Sequence, residues 1–176
     1  MSQTREALFS LVVSRLDLHG AHVLDLFAGT GAIGLEALSR GAESVTFVEQ
    51  VGQVLKFARR NAEELAVEDQ CVFIRSDAVR YLERYSGPPF DLIVADPPYE
   101  LEAMPRMPDL ALPHVEEGGL FILEHDRRIF FDEDPEHPNL DTCRPYGRTF
   151  VSVFRPPSND DGTEKPGGDL HESESP

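Results

Sequence analysis

Lysine is nearly absent from this chain: Lys56 and Lys165 are the only two, and the rest of its 16 basic residues are arginine. Cysteine is almost as scarce. Cys71 and Cys143 stand far apart with neither CxxC nor Cys/His spacing, which argues against a disulfide framework and against a zinc site. Six histidines (His19, His22, His114, His125, His137, His171) likewise lack metal-ligand spacing, so no metal is expected. No apolar run approaches the roughly 18–20 residues that cross a bilayer, and the N-terminus lacks the basic-then-apolar layout of a signal peptide. No membrane is expected, and a reducing cytoplasm is the natural setting.

Acid is abundant. The net charge is -16, and the segment Pro156–Pro176 holds Asp160, Asp161, Glu164, Asp169, Glu172 and Glu174 against Lys165. That segment has no apolar periodicity, so 156–176 is expected to be a disordered acidic tail behind a single domain, 1–155. Such acidity opposes the charge that phosphate binding favours; an acid-rich, lysine-poor surface suits a high-salt cytoplasm, where solvation takes precedence.

Short β-branched runs alternate with helix-period segments, which predicts an α/β domain with a mostly parallel sheet. Helices are expected over Thr4–Leu16 (Leu8, Leu11, Val12 and Leu16 on one face), Ala32–Arg40, Val51–Leu65, Ala78–Tyr85 and Asp109–Val115. Strands are expected at Val23–Phe27, Val45–Glu49, Val72–Arg75, Phe90–Ala95 and Leu120–Glu124. Leu140–Tyr146 and Thr149–Phe154 flank Gly147 as a terminal antiparallel hairpin.

Two segments carry chemistry. Asp25-Leu26-Phe27-Ala28-Gly29-Thr30-Gly31-Ala32-Ile33-Gly34 is a GxGxxG between a strand and a helix, with Glu49 placed 20 residues beyond Gly29 to meet ribose hydroxyls. A dinucleotide would satisfy this much. Asp25, read as lying at the mouth of the loop, would repel a pyrophosphate and suits a ligand bearing an ammonium and a sulfonium. The glycines would then let the backbone approach that ligand closely. Asp77, after the third strand, is placed to accept from an adenine amino group, or serves as a helix N-cap.

The second segment is Asp96-Pro97-Pro98-Tyr99, closing the fourth strand. Two prolines hold the backbone extended and remove two N–H donors. An aromatic amine has a delocalised lone pair. Hydrogen bonds from its N–H groups to Asp96 Oδ and the Pro97 carbonyl would turn that lone pair toward a methyl donor, and Tyr99 would stack on the base. The catalytic candidates are therefore Asp96, Pro97 and Tyr99; the cofactor-binding candidates are Asp25, Phe27, Gly29, Gly31, Glu49 and Asp77, with S-adenosylmethionine as the cofactor. Glu124-His125-Asp126 ends near the same edge; it could shape a base pocket, the simpler expectation being a solvated loop. Arg127, Arg128, Arg144 and Arg148 are candidates for phosphate contacts or for salt bridges to nearby acids.

The glycine loop, the following Leu35-Glu36-Ala37-Leu38-Ser39-Arg40-Gly41-Ala42, then Phe47-Val48-Glu49, Asn61, Asp77-Ala78 and Asp96-Pro97-Pro98-Tyr99 resemble the RsmD family of bacterial 16S ribosomal RNA (guanine-N2)-methyltransferases. Arg5-Glu6-Ala7-Leu8-Phe9 and Tyr146-Gly147 extend the likeness over about residues 4–155. The resemblance implies a class I methyltransferase fold, a three-layer α/β/α sandwich with strand order 3-2-1-4-5-7-6. It also implies ribosomal RNA or an assembling small subunit as partner, and a monomer is expected. It differs from the family pattern in opening almost at the leading helix, without a basic glycine-containing stretch, and in carrying Gln50 where an acid is common. Transfer to another amino group (adenine N6 or a protein glutamine), a non-catalytic ribosome-assembly module and an NAD-binding oxidoreductase are the competing readings.

Overall fold

The computed structural model describes residues 3–126, 128–131 and 136–157. The tail expected over 156–176 lies outside them from residue 158 on, as does Arg127. The described elements run α1 (Gln3–Val13), β1 (His22–Leu26), α2 (Ala32–Ser39), β2 (Ser44–Glu49), α3 (Gly52–Glu64), β3 (Cys71–Arg75), α4 (Ala78–Arg84), β4 (Phe90–Ala95), α5 (Met107–Ala111), β5 (Val115–Asp126), β6 (Leu140–Tyr146) and β7 (Thr149–Phe154).

The strands form one sheet in the order β3-β2-β1-β4-β5-β7-β6. Its first five strands are parallel, while β7 pairs antiparallel with both β5 and β6. This is the class I methyltransferase architecture. Cys71 and Cys143 belong to its opposite edge strands, too far apart for a bridge.

Both faces of the sheet are covered, which explains why its central strands are apolar throughout. On one face Val23, Val45, Phe47, Leu92, Val94 and Ile122 pack against Leu8, Phe9 and Val12 of α1, Leu35 of α2 and Ala62 of α3. On the other, Leu24, Leu26, Ile93, Leu123 and Phe154 meet Ala78 and Leu82 of α4 and Met107 and Ala111 of α5. Alternation along each strand divides its residues between the two layers.

The ends of the fold are tied together by charge. Asp141 on β6 accepts from Arg15 Nε at 2.7 Å, just beyond α1, and from Arg155 Nε at 2.9 Å, just beyond β7. Arg40 lies 4.8 Å over the Phe9 ring and fastens α1 to the end of α2. Phe9 itself is fully buried, a core position that the expected Leu8–Leu16 face omitted.

Many element ends shift by one to three residues, and two elements depart further from the sequence expectation. The helix expected over Asp109–Val115 is instead the five-residue α5, between tight turns at Met104–Arg106 and Leu112–His114. Pro105, Pro108 and Pro113 each lack an N–H, so a longer helix cannot be sustained. The fifth strand begins at Val115 rather than Leu120. Gly118, with φ 81°, and Gly119 form an irregular stretch against β4, which concealed the strand's first half.

Gly34 sets the distance between α2 and β2. A Cβ there would run into the Phe47 ring and lie 2.6 Å from Val45 Cγ1. Gly34→Ala is therefore expected to destabilise the protein by about 1–3 kcal/mol, read as a lower urea midpoint at unchanged m-value. An unchanged midpoint would show that the contact relaxes freely.

Candidate active site

The candidate residues meet at the carboxyl ends of the parallel strands. Leu26 on β1 is in register with Ala95 on β4, so the glycine loop and the Asp96 segment leave adjacent strands side by side. This is where open α/β sheets place ligands.

The loop is built by successive left-handed residues: Phe27 at φ 57°, Gly29 at 55° and Gly31 at 80°. Phe27 pays a cost for this that glycine avoids, on the order of 1 kcal/mol. Its N-terminal part is anchored by Ala28 N–H to the Val48 carbonyl at 3.0 Å, and Gly31 N–H closes a turn onto the Ala28 carbonyl at 2.8 Å. From α3, Asn61 Nδ2 donates to the Thr30 carbonyl at 2.9 Å. Asn61 was part of the family resemblance without a role; its work here is to hold the loop.

The glycines divide by function. At Gly31 a Cβ would approach Ala58 Cβ to 3.0 Å and Phe47 Cε1 to 3.2 Å, so Gly31, like Gly34, serves helix–sheet packing. At Gly29 a Cβ would meet only the Phe27 carbonyl, at 3.9 Å. Gly29 alone of the three borders open space.

Asp25 lies beneath the loop rather than at its mouth. It is 1% exposed, and its Oδ2 accepts from Gly34 N–H at 2.8 Å. Burial pushes its pKa up to about 8; the Gly34 hydrogen bond pulls against this, while Asp96 and Glu49 add to the rise. Asp25 is thus a largely protonated prop for the first turn of α2 at neutral pH.

Glu49, half-buried at the end of β2, accepts from Gly29 N–H at 3.1 Å through Oε2 and from Val51 N–H at 2.8 Å through Oε1. It links Gly29, which borders open space, to the entry of α3. Asp77 is exposed and caps α4, accepting from Arg80 N–H at 2.9 Å.

Asp96 follows β4 directly, with Pro97 buried behind it. The Pro98 carbonyl accepts from Leu101 N–H at 3.0 Å, which turns the chain after Tyr99. Tyr99 remains 52% exposed. Partial desolvation raises the pKa of Asp96. Tyr99 is also raised, by desolvation and by Glu124, Asp96 and Asp126, with Arg148 acting in opposition. Those influences place Tyr99 among three carboxylates and an arginine.

Glu124-His125-Asp126 is no solvated loop. All three residues extend β5 and pair with Val151, Phe150 and Thr149 of β7. His125 is 0% exposed, with Nε2 at 2.8 Å from Ser152 Oγ and its ring stacked on Phe150. Periodicity failed to find it because a histidine beside two acids reads as polar. Arg128 Nε donates to Asp126 Oδ1 at 2.8 Å, the salt-bridge alternative. Arg144 and Arg148 are exposed on the hairpin.

A groove of about 620 Å³ runs between α3 and β3, lined in part by Gln50, Val51 and Phe73. It touches the chain just beyond Glu49 but includes neither the glycine loop nor Asp96. Converging polar groups, not volume, mark the site. Among the described residues, no group of three or more His, Cys, Asp or Glu side chains is placed to hold a metal ion, and no helix is long and apolar enough to cross a membrane.

The Asp25 assignment has a measurable consequence. A folded pKa of about 8 against 3.8 in the unfolded chain means that folding retains a proton between about pH 4 and pH 8. Stability must therefore fall as pH rises through that window. Asp25→Asn removes the titration and should flatten the decline in urea midpoint between about pH 5 and pH 9. Parallel declines in both proteins would mean that Asp25 is already ionised when folded.

Comparison with known proteins agrees with this geometry. The model of the family described as Conserved hypothetical protein 95 matches residues 1–155. The protein named "Putative rRNA methyltransferase YlbH" of Bacillus subtilis is 31% identical over 159 residues, covering 87% of this chain and 84% of that one. Ribosomal RNA small subunit methyltransferase D of Buchnera aphidicola is 33% identical over 127 residues, covering 71% and 63%. In fold, the chain matches the 16S rRNA N2 methyltransferase RsmC of Thermus thermophilus, solved with AdoMet and guanosine. The TM-score is 0.72 at 20% identity, covering 89% of this chain and 44% of that one. The chain belongs to the Conserved hypothetical protein 95 family, the RsmD family of ribosomal RNA methyltransferases.

Proposed function

We propose that this chain methylates the exocyclic N2 amino group of a guanine in small-subunit ribosomal RNA, with S-adenosylmethionine as methyl donor. The observation that carries the reading is the adjacency, across β1 and β4, of the glycine loop and Asp96-Pro97-Pro98-Tyr99.

The strand ends suit such a donor. Gly29 leaves open space where a side chain would intrude, and Glu49, Asp77 and Asp96 supply carboxylates at the ends of three strands. That set complements a cationic ligand with ribose hydroxyls and no phosphate. Gly29 and Glu49 would hold it from the loop side and Asp77 from the α4 side, with Phe27 and Gly31 shaping the turn. Asp25 acts from below, through Gly34. The bound donor supplies a methyl group on a sulfonium, a good leaving group.

This chain's residues would prepare the acceptor. Asp96 and the Pro97 carbonyl accept the two amino N–H hydrogens and draw the nitrogen lone pair out of conjugation, and the extruded base stacks on exposed Tyr99. The proton lost from the methylated nitrogen passes to Asp96 or to water. Catalysis of this kind rests chiefly on positioning. Arg144 and Arg148, exposed on the hairpin, are the candidates for steering RNA toward a chain whose net charge of -16 opposes it.

Asp96→Ala should lower kcat by at least on the order of 10²–10³-fold while leaving the Kd for S-adenosylmethionine within a few-fold. The assay is labelled-methyl transfer to small ribosomal subunits from cells lacking this protein, at low and high salt, followed by digestion and identification of the nucleoside. An active Asp96→Ala variant removes the mechanism. A product other than N2-methylguanosine removes the target.

A further inference from the structure

We propose that Glu124 is the residue that selects guanine: its carboxylate accepts the base N1–H while Asp96 accepts the neighbouring N2–H. The proposal rests on the guanine-N2 reading above and adds to it the group that distinguishes this base from others.

The placement comes from strand register. Ala95 on β4 pairs with Leu123 on β5, and both belong to the core layer of α4 and α5. The next residue along each chain is a carboxylate, Asp96 just beyond β4 and Glu124 on β5, so two acids follow the last registered pair side by side. Burial, with Asp96 second, raises the Glu124 pKa, and a hydrogen bond with Thr149 acts in opposition. Thr149 lies on β7, the strand that pairs with β5 along Glu124, and its Oγ1 donates to the Tyr146 carbonyl at 3.2 Å. Tyr99, the stacking candidate, is perturbed by both Glu124 and Asp96. Glu124 is therefore a half-buried acid on a strand in register with the Asp96 segment, near both that carboxylate and the aromatic platform.

The chemistry of the base edges gives this pair a meaning. Guanine presents two adjacent donors on its Watson–Crick edge, N1–H and the 2-amino group. Two neighbouring acceptors complement that edge. Adenine and cytosine instead place an unprotonated ring nitrogen beside the amino group, and a glutamine amide places a carbonyl oxygen there. Against any of these, Glu124 would set lone pair against lone pair, and a buried acceptor left without its donor penalises binding. A single carboxylate at Asp96 would leave all these amines comparable; the second makes the distinction.

The test uses small ribosomal subunits from cells lacking the protein. Wild-type enzyme should yield N2-methylguanosine; any other product, or none, overturns the guanine reading and this proposal with it. Given that product, Glu124→Gln should lower kcat/KM by about 10- to 100-fold with the Kd for S-adenosylmethionine within twofold, which also certifies folding. Subunits reassembled with 2-aminopurine at the target keep the 2-amino group but present N1 as an acceptor. The wild type should strongly prefer guanine over this analogue. Glu124→Gln, whose amide can donate to N1, should narrow that preference at least about tenfold. An unchanged kcat/KM or an unchanged preference overturns the role of Glu124 while the guanine reading stands. Should Glu124→Gln lose cofactor binding, Glu124→Asp serves: it must slow transfer yet keep the preference, and failure on either count overturns the proposal.

Discussion

The Asp25 carboxylate, shut away from water and bonded to Gly34 N–H, ties the central strand to the first turn of the helix that follows the loop. The loop's shape descends from that bond. With β1 and α2 fixed to each other, the chain between them must turn through left-handed residues at Phe27, Gly29 and Gly31. Only then does the Gly29 N–H point at Glu49 and the Thr30 carbonyl at Asn61. A neutral acid is well suited to the position. It accepts from the helix terminus without the full cost of a buried ion, and the nearby Asp96 and Glu49 help to hold it neutral.

Negative charge is the recurring theme of the site. Glu49, Asp77, Asp96, Glu124 and Asp126 all sit at or near the carboxyl ends of the sheet. Burial raises the pKa of Asp25, Asp96 and Glu124, and neighbouring carboxylates add to the rise at Asp25 and Glu124. A ligand carrying positive charge would relieve that repulsion. A polyanionic RNA would increase it everywhere except where the base itself enters, which favours a substrate that reaches the site with one nucleotide turned out and its phosphates kept toward the hairpin arginines.

Much of this arrangement was legible in the sequence because it depends on local pattern. Phe90–Ala95, Leu140–Tyr146 and Thr149–Phe154 are bounded by prolines, glycine and polar residues, and the structure keeps those limits unchanged. The strand order followed from the family resemblance. Asp25, Gly29 and Gly31 read in the sequence as cofactor-binding residues; in the structure Gly31, like Gly34, also packs on Phe47, and Asp25 accepts from Gly34 N–H. Sequence spacing cannot tell a glycine that admits a ligand from one that admits a phenylalanine. Glu124 reads in the sequence only as part of Glu124-His125-Asp126, a segment that could shape a base pocket or be a solvated loop. Its significance lies in being level with Asp96 on a neighbouring strand, and register between strands 28 residues apart (96 to 124) is a property of the folded sheet. The prolines of the α5 region were visible throughout and should have shortened the expected helix.

The antiparallel return of β7 beside β5 also orders events in time. Residues up to 96 include the glycine loop, β2, β3 and Asp96, whereas Thr149, which pairs with Asp126 across β5 and β7, comes from the last strand to be made. At about 5–20 residues per second, the 53 residues between Asp96 and Thr149 take roughly 3–11 s to synthesise. During that interval a nascent chain lacks the strand that pairs with the outer edge of β5. Premature chain termination ahead of residue 149 would therefore strip both core layers of fully buried side chains, Val151 and Val153 from one and Phe154 from the other.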